Sequence, residues 1–347
     1  MRVLTFGWDY PPIKNGGLGV ACQGLTEELV GLGVEVVFVL PHTQEINFPG
    51  KHIFADTTHV HVRPIYSPLI PYGNARSVLR TIDTRGGNTV MSSRVLIEEV
   101  YMYAQRAAEI AQEEEFDVIH AHDWVSYLAG RAAKEVSKKP LILHVHATSY
   151  DQAGGDNVDP EVFCIEKESF AAADKVVVIS EYTKNIIIEK HGADPRKIEV
   201  VHNGGPKEVP KELPPVFEEL KKQGKKIVLY HGRITIQKGP DYFVSAARRV
   251  VDVDPDVMFV MSGWGDMEQQ VMSMVGNMGL TGHVFFVGPL WDVDRDRVYQ
   301  SADLFVMPSV SEPFGLVALE AIHHGTPVLI SKQSGVGEVL KHSLRAD

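Results

Sequence analysis

The residues whose types and spacing are best suited to chemistry lie in Pro308-Ser309-Val310-Ser311-Glu312-Pro313-Phe314-Gly315-Leu316-Val317-Ala318-Leu319-Glu320-Ala321. The segment follows an apolar run, bends at Pro313 and enters a helix whose first turn exposes the N–H groups near Gly315, Leu316 and Val317. Such groups attract anions. Glu312 falls in the loop and Glu320 about two turns into the helix, so the two carboxylates are expected to reach different ends of one extended polar ligand. The apolar neighbours Leu319, Ala321 and Ile322 argue against Glu320 being merely a solvated surface residue.

A second constellation, His231-Gly232-Arg233-Ile234-Thr235-Ile236-Gln237-Lys238-Gly239, follows another apolar run and leads into a helix near Gly239. Arg233, Lys238 and that helix N-terminus can converge on a diphosphate. Lys14-Asn15-Gly16-Gly17-Leu18-Gly19 precedes a helical stretch from about Val20 to Leu32. It suits close backbone approach to a phosphate, with Lys14, Gly17 and Gly19 nearest, and it suits a plain tight turn equally well.

His120-Ala121-His122-Asp123-Trp124 and Leu143-His144-Val145-His146-Ala147 each close an apolar run and are expected side by side. Asp123 and His146 are the ligand-facing candidates; any single histidine here also reads as a hydrogen-bonded structural residue. A metal site is set aside, on the expectation that each His-x-His run splays its imidazoles to opposite faces and that no third segment adds a carboxylate. Asp292-Val293-Asp294 is read as the N-cap of a helix from Asp294 to Ser301 rather than as a metal motif.

The elements that must hold these groups alternate along the whole chain. Short β-rich runs at Val3–Phe6, Val34–Leu40, Val118–Ala121, Leu141–His146 and Val176–Ile179 are separated by helical patterns, and so are Ile227–Tyr230, Val257–Met261, Val284–Val287, Leu304–Met307 and Val328–Ile330. Alternation of this kind specifies α/β architecture with parallel sheets covered on both faces. The Pro-, Lys- and Glu-rich stretch between the two series reads as a linker. Two doubly wound domains are expected, residues 1–205 and 225–347, joined by 206–224, with 47–88 an elaboration of the first and the second incomplete at its C-terminus.

Composition narrows the function. A net charge of −11 with no long basic run excludes nucleic acid as the main partner. Cys22 and Cys164 are too far apart in sequence to suggest a disulfide framework or a Cys-x-x-Cys zinc site, which suits a reducing cytoplasm. No apolar run approaches the ~20 residues that span a bilayer.

Taken together these residues resemble the retaining GT-B glycosyltransferases of group 1, and in particular the glycogen and starch synthases. Glu312-Pro-Phe-Gly-Leu-Val-Ala-Leu-Glu320 is similar to the family's donor-site signature, and Gly232-Arg-Ile-Thr-Ile-Gln-Lys-Gly239 to its diphosphate loop. Phe6-Gly-Trp-Asp-Tyr-Pro-Pro-Ile-Lys-Asn-Gly-Gly-Leu-Gly19 resembles the synthase opening, and the two His-x-His runs its first-domain site. The resemblance implies two Rossmann-like domains facing a cleft. It also implies metal-independent transfer of a hexose from ADP- or UDP-glucose, which is substrate and not cofactor, to a glucan or oligosaccharide. Arg233 and Lys238 would neutralise the diphosphate, Glu312 would hold the donor sugar and Glu320 the ribose. Gly315, Leu316 and Val317 would hold sugar and phosphate through backbone, Lys14, Gly17 and Gly19 would approach from the first domain, and His146 and Asp123 would stand at the sugar and acceptor side. Small-molecule or lipid acceptors, an epimerase and a nucleotide-sugar binder are the alternatives.

Overall fold

A computed structural model describes residues 1–11, 17–41, 51–54, 81–82, 88–89, 93–205, 219 and 222–343. The chain forms two compact units, Met1–Asn203 and Gly204–Asp347. Lys14 and most of the connecting stretch lie outside the described residues.

In the first unit the strands are β1 (Arg2–Phe6), β2 (Glu35–Leu40), β3 (Lys51–Phe54), β6 (Val118–His122), β7 (Leu141–Val145), β8 (Lys175–Val178) and β9 (Ile198–Val200), with a separate short antiparallel pair, β4 (Thr81–Ile82) and β5 (Asn88–Thr89). The seven-stranded sheet runs in the order β3-β2-β1-β6-β7-β8-β9 and every pairing in it is parallel. The second unit holds β10 (Lys226–His231), β11 (Val257–Ser262), β12 (Val284–Gly288), β13 (Leu304–Met307) and β14 (Val328–Ile330), ordered β12-β11-β10-β13-β14 and again all parallel. Both sheets are doubly wound, as the alternation requires. β3 and β9 were not anticipated; they are short edge strands whose three or four residues carry too little periodicity to stand out.

Parallel strands buried on both faces need apolar residues at nearly every position, and the sequence supplies them. Leu4, Phe6, Val37, Val39, Ile119, Leu141, Leu143, Val145, Val176 and Val178 sit in one cluster in the first unit, each fully or almost fully buried. Phe243, Val244, Phe259, Met261, Val271 and Leu280 form its counterpart in the second.

The strand order decides where a ligand can sit. Each sheet reverses its winding direction once, between β1 and β6 in the first unit and between β10 and β13 in the second. Loops leaving the carboxyl ends of two such neighbours diverge to opposite faces and leave a crevice between them. Arg233 and Lys238 leave β10, Glu312 leaves β13, and Asp123 leaves β6.

Candidate functional site

In the second unit the loop after β10 is anchored by its own backbone. The Tyr230 hydroxyl donates to the carbonyl of Arg233 at 2.6 Å, and the N–H of Ile234 donates to the carbonyl of Trp264 at 2.9 Å. A close approach makes this possible. A Cβ on Gly263 (φ +141°) would lie 1.8 Å from the Gly232 oxygen, and one on Gly265 2.2 Å from the Ile234 oxygen. Gly263-Trp264-Gly265 was not singled out in the sequence; its signal, two glycines at the end of a strand, is visible there in retrospect.

That loop packs on the one after β13. The carbonyl of Gln237 accepts from the N–H of Val310 at 2.8 Å, and its side-chain Oε1 accepts from Arg233 Nη2 at 2.9 Å. Gln237, only 4% exposed, therefore aims Arg233 while tying the two loops together. Lys238 Nζ stands 2.6 Å from Glu312 Oε2, which also accepts from Ser309 Oγ at 3.1 Å. Gly239 adopts the left-handed conformation at the start of the helix Pro240–Val251, where a Cβ would meet the Pro308 carbonyl at 2.4 Å. Only glycine permits this contact of loop on loop.

Glu312 is held from the backbone side too. Its N–H donates to the Gln333 carbonyl and its carbonyl accepts from Gly335, each at 2.9 Å. Gly315 (φ +103°) caps the helix Leu316–His323 and no side chain caps it further, so the first-turn N–H groups of Leu316 and Val317 mark the ligand-competent end. Four residues into that helix, Glu320 accepts from the Tyr299 hydroxyl at 3.1 Å, with Arg295 Nη1 at 3.5 Å from its other oxygen. Burial holds the Tyr299 hydroxyl well above its ordinary pKa, with the Glu320 carboxylate adding to the effect, so it stays a donor. Arg295 and Tyr299 belong to a helix read from sequence as starting at Asp294. The helix is Asp292–Ser301, with Trp291 at its N-cap and no side-chain cap. The aspartate pair thus occupies the first turn instead of capping it, and Asp294 lies 3.5 Å from Arg297.

In the first unit Asp123 is completely buried and takes a backbone conformation, φ +58° and ψ 168°, that is uncommon for a non-glycine residue. Its Oδ1 accepts from the N–H of His146 at 2.6 Å and of Ala147 at 3.3 Å. Those contacts make Asp123 a brace for the turn after β7, which carries His146. The next turn is secured the same way. Thr148 and Asp151 form a reciprocal capping box, and buried Glu166 accepts from Ser149 N–H at 2.8 Å and Ser149 Oγ at 2.5 Å while its Oε2 lies 2.8 Å from His191 Nε2. Nothing in the sequence linked Glu166 and His191 to this loop, because they sit on separate helices, Pro160–Ala172 and Glu181–His191.

The histidines depart from expectation. Ring centroids of His120 and His122 are 4.3 Å apart, those of His144 and His146 4.3 Å, and those of His122 and His144, which are register partners, 5.2 Å. Residues two apart on a strand share a face, so the two His-x-His runs bring all four imidazoles together rather than splaying them. His122 Nδ1 lies 3.0 Å from His146 Nε2. Burial pushes His146 down to about 3, with His120 adding to the shift, so the ring is neutral at ordinary pH. Gly17 opens the helix Gly17–Gly31, and Gly19 lies in it at ordinary contact distance from Asp9, so crowding within the described residues does not force Gly19 to be glycine.

The geometry meets known proteins at this point. A model described as Glycosyl transferases group 1 matches residues 215–345 and one described as Glycosyltransferase Family 4 matches residues 15–206. The chain is 29% identical to an uncharacterised glycosyltransferase of Methanocaldococcus jannaschii (99% of this chain, 84% of the relative). It is 31% identical to a D-inositol 3-phosphate glycosyltransferase of Salinispora tropica (98% and 73%) and 27% identical to a glycogen synthase of Mycobacterium tuberculosis (98% and 80%). Among solved structures it is similar in fold to sucrose-phosphate synthase from Thermosynechococcus elongatus, with a TM-score of 0.73 at 20% identity (98% and 83% covered). It is also similar to the catalytic domain of starch synthase IV from Arabidopsis thaliana bound to ADP and acarbose, with a TM-score of 0.67 at 16% identity (97% and 84%).

Proposed function

The chain belongs to the glycosyltransferases of family 4 and group 1 and is a glycosyltransferase of GT-B fold, and we propose that it transfers glucose, with retention, from ADP- or UDP-glucose to a glucan acceptor. The observation that carries this reading is the contact of Lys238 Nζ with Glu312 Oε2, beside Arg233 and one loop away from Glu320. In a glycosyl phosphate the anionic phosphate oxygens and the neutral sugar hydroxyls lie a few bonds apart on one ligand. An ammonium touching a carboxylate offers both partners at that spacing: Lys238 with Arg233 for the diphosphate, Glu312 for the sugar. Glu320 takes the ribose hydroxyls, and the backbone of Gly315, Leu316 and Val317 the sugar and phosphate. Lys14, Gly17 and Gly19 supply the first unit's phosphate contacts.

In the transfer the bond from C1 to the diphosphate oxygen breaks and a bond from the acceptor oxygen to C1 forms on the same face. The acceptor proton passes to the departing phosphate oxygen. Charge grows on the diphosphate as it leaves, so fixed cations and N–H groups stabilise the transition state more than the ground state. Arg233 and Lys238 fill the role that a metal fills elsewhere, and the transfer needs none. His146, neutral at working pH, acts as a hydrogen-bonding group toward sugar or acceptor, with Asp123 setting its position. Two cysteines without a disulfide suit a cytoplasmic enzyme, and among the described residues no helix is long and apolar enough to cross a membrane.

A second reading, transfer to a small phosphorylated acceptor, is favoured by the higher identity to the D-inositol 3-phosphate enzyme. The deciding experiment incubates the full chain with ADP-glucose, UDP-glucose, GDP-mannose and UDP-N-acetylglucosamine in the presence of EDTA. Nucleoside diphosphate release is followed with glycogen, maltooligosaccharide, inositol 3-phosphate or no acceptor. Glucan-dependent release from a glucose donor is the expected result. Release that requires inositol 3-phosphate overturns the glucan assignment, and release that requires added metal overturns the mechanism.

A further inference from the structure

The proposed transfer chemistry uses only one of the four clustered imidazoles. We propose that His120, His122 and His144 form a binding site for one borderline divalent transition-metal ion, with Zn2+ the best match. One nitrogen from each of the three rings can be chosen so that all lie within 4.8 Å of one another, on two adjacent strands whose pairing places His122 opposite His144. Tetrahedral Zn–N bonds of about 2.0–2.1 Å put ligand nitrogens roughly 3.4 Å apart, within reach of side-chain rotation from that starting point.

The second observation is what these nitrogens lack. His144 is 5% exposed, yet neither of its ring nitrogens has a hydrogen-bond partner among the described residues, nor has Nε2 of His120. A neutral imidazole carries one N–H and one lone pair, and proteins rarely bury either unpaired. A bound ion would satisfy the lone pairs. Burial also keeps the rings deprotonated and ready to ligate, His120 at about 4 and His144 well below its ordinary value. His146, 3.0 Å from His122 Nδ1, orients His122 and leaves its other nitrogen for the ion. A rival set, the Cys22 thiol with His122 and His146, shares His122, so one ion and not two is accommodated. The all-imidazole set is assigned because His120 and His144 supply the unpaired nitrogens, which the rival set does not use.

The test uses the full chain, stripped with chelator and titrated with Co2+. Expected are one Co2+ per chain, visible absorption of tetrahedral form, no intense thiolate-to-cobalt band in the near ultraviolet, and displacement by Zn2+. Zn2+ at a hundredfold excess over its Kd should raise Tm by about 5–10 °C. His120→Gln and His144→Asn should each weaken Co2+ binding by roughly tenfold or more. A thiolate band that Cys22→Ser abolishes would move the ion to the rival set and overturn the assignment, as would no uptake, or uptake unchanged in both histidine variants. The wild-type spectrum reads the ligand set even if a variant fails to fold.

Discussion

Replacing Gln237 with alanine isolates one interaction cleanly. The carbonyl that accepts from Val310 belongs to the backbone and survives any substitution, so Gln237→Ala keeps that tie and removes the side-chain amide whose oxygen lies 2.9 Å from Arg233 Nη2. Hydrogen bonds involving a charged group contribute about 1.5–3 kcal/mol. Arg233 has other interactions and is half-buried, so the lower end applies, about 1.5 kcal/mol, which is roughly a tenfold change in affinity. Calorimetric titration with UDP and ADP should therefore show about tenfold weaker binding in Gln237→Ala. UMP and AMP, which lack the β-phosphate, should change far less. In an Arg233→Ala background the second substitution should add nothing beyond the ~0.5 kcal/mol scatter of independent sites. If the penalty persists undiminished without Arg233, or falls equally on the monophosphates, Gln237 does not act through the guanidinium and the reasoning fails.

Glu312→Ala should lower turnover by orders of magnitude while free nucleoside diphosphate still binds within a few-fold, if the carboxylate holds the donor sugar as proposed; parallel turnover and titration measurements that fall together would reject that role. The same variant leaves Lys238, only 20% exposed, without its 2.6 Å partner, so thermal unfolding should show a loss of about 1–3 kcal/mol. Tyr299→Phe frees one oxygen of Glu320 and should narrow the affinity gap between UDP and 2′-deoxy-UDP; an unchanged gap would show that Tyr299 does not set the ribose contact. His120 and His146, pushed down to about 4 and about 3, bind fewer protons folded than unfolded. Their contribution to stability is present above about pH 6.5 and is lost as pH falls below it, at up to about 1.4 kcal/mol per pH unit for each histidine. Unfolding free energies from urea titrations between pH 6.5 and 4.5 should decline with that slope in metal-free protein, and less steeply in His120→Gln; equal slopes would contradict the buried, neutral state of His120.

What could be read without coordinates was what depends on neighbours in sequence. Apolar runs alternating with helical patterns specified parallel, doubly wound sheets, because a strand covered on both faces must be apolar throughout. Arg233, Lys238, Glu312 and Glu320 stood out because cations after one strand and carboxylates around a helix start imply a polar, phosphorylated ligand wherever the sheet places them. The short edge strands carried too few residues to show a period. Pairings across sequence were a different matter. Lys238 and Glu312 are 74 residues apart, and only the adjacency of β10 and β13 brings them into contact. Tyr299 and Arg295 found Glu320 through packing of two helices, and Gln237 joined two loops through its own carbonyl. Asp123 was legible as a polar residue at a strand end, but its burial and its bonds to the His146 and Ala147 backbone came only with the fold. The histidines show the division most plainly. Their types and spacing were written in the chain, whereas their gathering on one face followed from the two-residue repeat of a strand together with the register of β6 on β7. Sequence determined which chemical groups exist and which local elements carry them; tertiary structure alone decided which groups meet, because burial, register and strand order are properties of the packed sheet and not of any one segment.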